Sequence, residues 1–169
     1  MELVSIDIHR AHKSEAADVA DVHLASWRSA YRGIIPHTCL EQMIARRGTT
    51  WWDKAIRRGT HVIVIDFGGT IVGYATVGFN RARTLPCEGE IYELYLLPEY
   101  QGVGLGRQLF QSAQRVLADY GMGNNVVWVL EENEGACAFY EQMDGRIISR
   151  SSEMFGDKKL EKLAYAWGV

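Results

Sequence analysis

The sequence predicts an α+β fold on a mixed central sheet of about seven strands, flanked by about four helices. Three observations predict it. The run His61-Val62-Ile63-Val64-Ile65 and the run Ile71 to Val77 flank Gly68-Gly69, a tight-turn pair, so they form a hairpin. Glu90 to Leu97, ended by Pro98, extends that hairpin into an antiparallel meander. A glycine-rich turn, an amphipathic helix and the apolar run Val126 to Leu130 then make a single parallel β-α-β crossover, so the sheet is mixed.

Each element has its own signal. Leu3 to Ile8 alternates and opens the chain as a strand. From about Ser14 the spacing turns helical, with Val19, His23, Trp27 and Tyr31 on one face until Gly33 stops it. Pro36 starts a second short helix, and Trp51-Trp52 sits in a third, polar one. After the meander, Leu105, Leu109, Phe110, Ala113, Val116, Leu117 and Tyr120 form one apolar stripe. Asn133 heads a helix bearing Ala136, Phe139, Tyr140 and Met143. Ile147-Ile148 and Leu160 to Trp167 read as two closing strands.

Composition narrows the class. At 169 residues, 47% apolar and 23% charged, the chain reads as one globular domain over 1–169 that needs no disulfide or metal staple. A net charge of −3 argues against a nucleic-acid partner, and no apolar run approaches a membrane span. The start, Met1 to Asp7, lacks the basic and apolar regions of a secretion signal. Three cysteines, Cys39, Cys87 and Cys137, are odd in number and widely spaced, which reads as reduced thiols in a cytoplasm.

The turn Gln101-Gly102-Val103-Gly104-Leu105-Gly106-Arg107 lies between strand and helix. Its glycines admit a ligand close to the backbone, and the helix start offers unpaired N–H groups and the positive dipole end, which suit a phosphate. A Walker A loop fails, because the turn ends Gly106-Arg107-Gln108. A dinucleotide fingerprint is weakened by Arg107 where its third glycine belongs, although Glu131 could imitate its ribose-binding acid. The third reading is coenzyme A, with its pyrophosphate and amide-bearing arm.

Leu94 to Gly106 resembles the acyl-coenzyme A motif of GNAT-type N-acetyltransferases, Gln/Arg-x-x-Gly-x-Gly/Ala, met by Gln101, Gly104 and Gly106. Asn133 to Tyr140 resembles the family's later Asn-x-x-Ala-x-x-Phe-Tyr block. Trp27-Arg28-Ser29-Ala30-Tyr31-Arg32-Gly33-Ile34-Ile35-Pro36 and Ala164-Tyr165-Ala166-Trp167 are similar to the start and end of one bacterial branch. Asp144-Gly145 departs from that branch's Gly-Gly.

The resemblance implies the GNAT fold with splayed parallel strands and acetyl-coenzyme A as acetyl donor, without a metal. Backbone groups of Leu94, Tyr95 and Leu96 would pair with the pantetheine arm. Those of Gly102, Val103, Gly104, Leu105, Gly106 and Arg107 would hold the pyrophosphate, beside Gln101. The Leu96 N–H would polarise the thioester carbonyl, and the Asn133 amide would touch the pantetheine. Glu90 matches the general base of the histone-modifying branch. Tyr140 matches the proton donor to the departing sulfur. Its phenol pKa, ordinarily ~10, lies near a thiol's ~8.5, though the same residue fits a packing stripe.

Glu90 and Glu93 lie three apart, so a regular strand puts them on opposite faces, Glu90 sharing parity with Leu94 and Leu96. Either carboxylate, or water, could take the amine's proton. Trp27, Tyr31, Tyr92, Glu90 and Glu93 together would make an aromatic, acidic pocket for a protonated amine on a small molecule or peptide. A homodimer is compatible with this reading. His9 and His12 have no third ligand nearby in sequence, so no metal site is expected, and Cys137 reads as a small packed residue. A non-catalytic acyl-coenzyme A sensing module and a nucleotide-binding oxidoreductase are the alternatives.

Overall fold

The computed structural model describes residues 3–169. Met1 and Glu2, part of the start read for a secretion signal, lie outside the described residues. Seven strands form one sheet: β1 (Ile6–Arg10), β2 (His61–Phe67), β3 (Thr70–Phe79), β4 (Gly89–Leu96), β5 (Asn125–Leu130), β6 (Arg146–Phe155) and β7 (Lys158–Trp167). Their spatial order is β1-β2-β3-β4-β5-β7-β6, and the β4–β5 pair alone is parallel. The helices are α1 (Ala16–Tyr31), α2 (His37–Ala45), α3 (Thr49–Arg57), α4 (Leu105–Asp119) and α5 (Glu134–Gln142). Among them no helix is long and apolar enough to cross a membrane.

The meander forms where the β-branched runs meet their turn, and Gly68 and Gly69 both take the positive φ that the turn demands. The opening strand starts three residues later than its alternation suggests, because pairing with β2 starts at Ile6 opposite Phe67. In the α4 stripe Leu105, Leu109, Phe110, Ala113 and Leu117 are buried and Val116 is half-buried, whereas Tyr120 falls past the helix end and is exposed. Asp144 adopts a φ of 66°, a left-handed conformation suited to glycine and tolerated by Asp.

The sheet separates two apolar layers. Ile63, Ile65, Ile91 and Leu96 pack with Leu109 and Phe110 of α4 and with Tyr140 of α5. On the other face, Val62, Val64 and Tyr74 pack with Val19 of α1 and Trp52 of α3. Helix α3 is therefore polar on its outer side only, with Trp52 fully buried against Tyr74 at 5.0 Å. Trp27, Leu40 and Ile44 join Phe155 and Leu160, which fastens α2 to the β6–β7 end.

His23 is wholly buried in the second layer, 3.1 Å from the Tyr74 hydroxyl by Nδ1 and 4.6 Å from the Trp27 ring. Burial, aided by the Arg47 charge, lowers its pKa from 6.5 to about 4, so the fold holds a neutral imidazole. Between those two values the unfolded chain binds the extra proton. Stability is then complete above pH 6.5, falls on acidification, and levels below about 4. His23 adds a slope of up to ~1.4 kcal/mol per pH unit in that window. Urea unfolding at several pH values should show this component in the wild type and its absence in His23→Gln.

Candidate active site

The parallel strands β4 and β5 stay together for two register pairs, Gly89 with Asn125 and Glu90 with Val126, and then part. This is the splay that the family resemblance implied. The Leu97 N–H bonds to the Val72 carbonyl of β3 at 2.9 Å. Alternation along the strand then turns the Leu96 and Leu94 N–H groups the other way, toward the gap that β5 has left.

A cavity of about 610 Å³ fills that gap, lined by residues of α1, β4, the glycine turn and α5. Leu94, Tyr95 and Leu96 form one wall. Gln101, Gly102, Gly104, Gly106 and Arg107 form the rim, and Asn133 and Tyr140 face them from α5. Ten of the expected residues thus converge. Val103 and Leu105 do not line it by side chain: Val103 is exposed at the loop tip and Leu105 is buried in the core. Their backbone alone can face a ligand.

The rim is shaped by backbone conformation. Gly102 and Gly104 have φ of 80° and 87°, and a Cβ built on either would meet nothing within 4 Å. They are glycine because of the left-handed turn, and the space beside them stays open. Gly104 caps α4, and the first backbone bond of the helix runs from Gln108 N to Gly104 O. The N–H groups of Leu105, Gly106 and Arg107 therefore lack helical partners and point to the rim, an anion-seeking arrangement. Gly106 serves packing, since its Cβ position lies 3.2 Å from Phe139 and 3.3 Å from Leu96. The Gln101 side chain donates to the Leu96 carbonyl at 3.2 Å, tying loop to strand.

Asn133 caps α5 by accepting from the Ala136 N–H at 3.3 Å, which leaves its amide NH2 free. Tyr140 is buried among Phe110, Phe139, Tyr165 and Trp167. Burial pushes its phenol well above the usual tyrosine range, so it keeps its proton at neutral pH. Gly145 holds this helix end in place: a Cβ there would come within 2.6 Å of Trp167 and 2.8 Å of the Tyr140 carbonyl.

The two β4 carboxylates share one face, which corrects the opposite-face expectation. The register runs Ile91 opposite Val77 and then Glu93 opposite Thr76, leaving Tyr92 as a bulge. Glu90, Glu93 and Tyr95 consequently point toward α1 and α3, while Ile91, Leu94 and Leu96 point toward α4. Glu90 therefore shares parity but not a face with Leu94 and Leu96. Its buried carboxylate accepts from Arg81 at three donors: the backbone N at 3.0 Å, Nε at 3.4 Å and Nη2 at 2.8 Å.

Glu93 pairs with Arg47 and accepts from the Thr76 hydroxyl at 3.2 Å. Burial raises its pKa, against the opposing pull of Arg47 and Thr76. Beside it the Tyr31 and Tyr95 hydroxyls meet at 2.5 Å, with burial pushing Tyr31 up to about 12. The expected acidic pocket is thus charge-compensated, with one arginine for each acid. Tyr92 stays beside Glu90, with the Arg81 guanidinium 4.1 Å from its ring, while its hydroxyl donates to the Phe79 carbonyl. Trp27 is largely covered, with the Arg47 guanidinium 5.6 Å from its ring and 4.7 Å from that of Trp51.

Sequence reasoning missed Arg47 and Thr76, which no local pattern connects to Glu93. It also missed Ser26, Ser29 and Ala30, which line the cavity from α1. Their small size at helical spacing was the available signal. Cys137 is a half-buried thiol 3.7 Å from the Leu130 carbonyl, with burial raising its pKa, as befits a packed residue. Glu15 stands beside His9 and His12 as a third metal-type side chain, which corrects the expectation that none is nearby.

A family model of acetyltransferases, the GNAT family, matches residues 22–145. The chain belongs to the GNAT acetyltransferase family. This GNAT chain is 28% identical to the uncharacterized N-acetyltransferase YuaI of Bacillus subtilis, over 96% of the chain and 92% of that protein. It is 22% identical to a spermidine N(1)-acetyltransferase of Thermoplasma acidophilum, over 94% of the chain and 99% of the relative. The PaiA N-acetyltransferase of that organism, solved with coenzyme A, superposes with a TM-score of 0.75 at 19% identity, covering 94% and 98% of the two chains. A GCN5-related N-acetyltransferase of Rhodopseudomonas palustris gives 0.76 at 17%, covering 98% of both. At these identities the structural likeness shows the GNAT fold.

The Glu93 carboxyl should titrate above the ordinary glutamate range in a ¹³C-detected experiment. Removing the Arg47 charge removes a lowering influence, so Arg47→Met should move the titration higher still. An unchanged midpoint in Arg47→Met would show that the pair does not couple.

Proposed function

We propose that the chain, as one N-acetyltransferase domain over 1–169, moves an acetyl group from acetyl-coenzyme A to a primary amine by direct attack. The observation that carries this reading is the gap between β4 and β5, filled by a cavity and edged by free N–H groups. Unpartnered strand N–H groups suit an amide-bearing arm, and the open left-handed turn at the head of α4 suits a pyrophosphate. Bound acetyl-coenzyme A would supply the thioester.

Leu94 and Leu96 then hold the arm by backbone bonds, and the Leu96 N–H stabilises charge on the thioester oxygen. The α4 N-terminus with Arg107 binds phosphate, and Asn133 offers its amide from the far side. Tyr140, kept protonated by burial, gives its proton to the departing sulfur.

For the base, Glu93 fits better than the Glu90 expected from the resemblance. Glu90 sits where the strands are still paired and is clamped by three Arg81 donors. Glu93 sits within the splayed segment, and its raised pKa brings proton affinity closer to the working pH. The rate should accordingly rise with pH through that raised pKa, as the carboxylate forms. The acceptor is an amine-bearing small molecule or peptide, as the spermidine-acting relative illustrates for one class.

The charge compensation of both acids favours a second reading, a non-catalytic acyl-coenzyme A sensor. Free thiol release from acetyl-coenzyme A with a panel of primary amines separates the two. An enzyme turns over with at least one amine, whereas a sensor binds and releases nothing.

Arg107→Glu, at an exposed position, should weaken acetyl-coenzyme A binding by tenfold or more in calorimetry with the unfolding temperature unchanged. Glu93→Gln should lower kcat by ~10²-fold with little change in coenzyme affinity, and Glu90→Gln by much less. Tyr140→Phe keeps the ring in its aromatic cluster. It should lose ~10²-fold in kcat at unchanged acetyl-coenzyme A KM, and wild-type kcat there would return Tyr140 to a packing role.

A further inference from the structure

At the far edge of the sheet from the cavity, three metal-type side chains meet where β1 hands over to α1. His9 lies on β1, His12 precedes the short 3-10 turn Lys13–Glu15, and Glu15 ends that turn. One ligand atom from each can be chosen so that all three lie within 4.8 Å of one another. The spacing His-x-x-His-x-x-Glu shows this only in part, because the strand-to-turn bend is what brings Glu15 back over His9.

The surroundings have the form of a metal site's outer shell. His9 Nε2 faces both Glu15 oxygens at 3.0 Å. The other ring nitrogen, Nδ1, meets the Asp7 carboxylate at 2.6 Å. A carboxylate on the distal nitrogen fixes the tautomer of a ligating histidine and strengthens it as a donor. Glu15 is itself held, since Oε1 also accepts from the His12 backbone N at 2.8 Å. The His12 ring stacks on His9 at 5.2 Å. His12 is exposed, so rotation about its side-chain bonds can bring a nitrogen in without moving the fold.

We propose that His9, His12 and Glu15 form a binding site for a first-row divalent transition ion of the zinc class. Two imidazoles and one carboxylate are the donor set of such ions, whereas Mg²⁺ and Ca²⁺ call for oxygen ligands alone. Donors bonded to zinc at ~2.0–2.2 Å stand ~3.3–3.5 Å apart in a tetrahedron. The His9–Glu15 edge is already near that value. The two nearby acids, Asp7 and Glu15, favour a cation, and the nearby Arg10 directs its guanidinium away to the Gly59 carbonyl at 3.1 Å. The fourth position is open to water. The site would staple the edge strand to the head of α1, the helix that carries Trp27 and Tyr31 at its other end.

The test is titration of the purified full chain with Zn²⁺ alone, in competition with a chromophoric chelator, and in parallel with Mg²⁺. One Zn²⁺ per chain at a Kd of ~10 µM or tighter is expected, with no Mg²⁺ response. His12→Ala and Glu15→Gln should each weaken Zn²⁺ at least tenfold. Asp7→Asn should cost ~10–100-fold by loosening His9. His12 is exposed, so His12→Ala keeps the test open even if variants at the other positions fold poorly. Zn²⁺ should also raise the unfolding temperature of the wild type and not of His12→Ala. Binding weaker than ~100 µM, or binding that His12→Ala leaves unchanged, overturns the proposal.

Discussion

Everything at the cavity depends on β4 and β5 letting go of one another after Glu90 and Val126. A parallel pair carries its stability in slanted, evenly spaced bonds, and giving them up leaves backbone donors without partners. Such groups are costly to bury, so the chain must either bring in water or present them to something else that can bond. The separation persists because each half of the sheet is secured on its other side. Strand β4 is held by β3 through seven register pairs, and β5 by β7 through six.

The bulge at Tyr92 is the second constraint, and it decides the electrostatics. One extra residue in β4 moves Glu93 to the face already occupied by Glu90. Two buried carboxylates on one face would be expensive if unpaired. Arg81 and Arg47 answer that expense from two different elements, a loop after β3 and the link between α2 and α3. The proton affinity of Glu93 therefore reflects a balance in which burial outweighs a cation stacked on two indoles. A reaction at this face inherits that balance.

The order of the elements was legible in the sequence because the signals were local. Gly68-Gly69 marks the hairpin, the α4 stripe marks the crossover helix, and Gly104 marks its head by needing a left-handed φ. The rim and the α5 wall were legible for the same reason, since Gln101 to Arg107 and Asn133 to Tyr140 are contiguous stretches. The acceptor face was not. A bulge is a mismatch between two strands, and nothing in Glu90 to Leu96 alone reveals that Tyr92 has no partner on β3. Arg47 lies 46 positions from Glu93 and meets it through the packing of Trp52 on Tyr74. His9 and Glu15 are close in sequence but face one another only through the 3-10 turn that joins β1 to α1.

With two register pairs joining them, the four strands β1 to β4 and the three strands β5 to β7 amount to two leaves sharing a short spine. Helix α4 bridges the leaves as their covalent connection. Shear between leaves is resisted by hydrogen bonds at one end of the gap and by side-chain packing at the other. A molecule seated in the gap and bonded to Leu94 and Leu96 would carry load across it, as an additional strand does. The stiffness of the whole sheet then depends on whether that gap is filled.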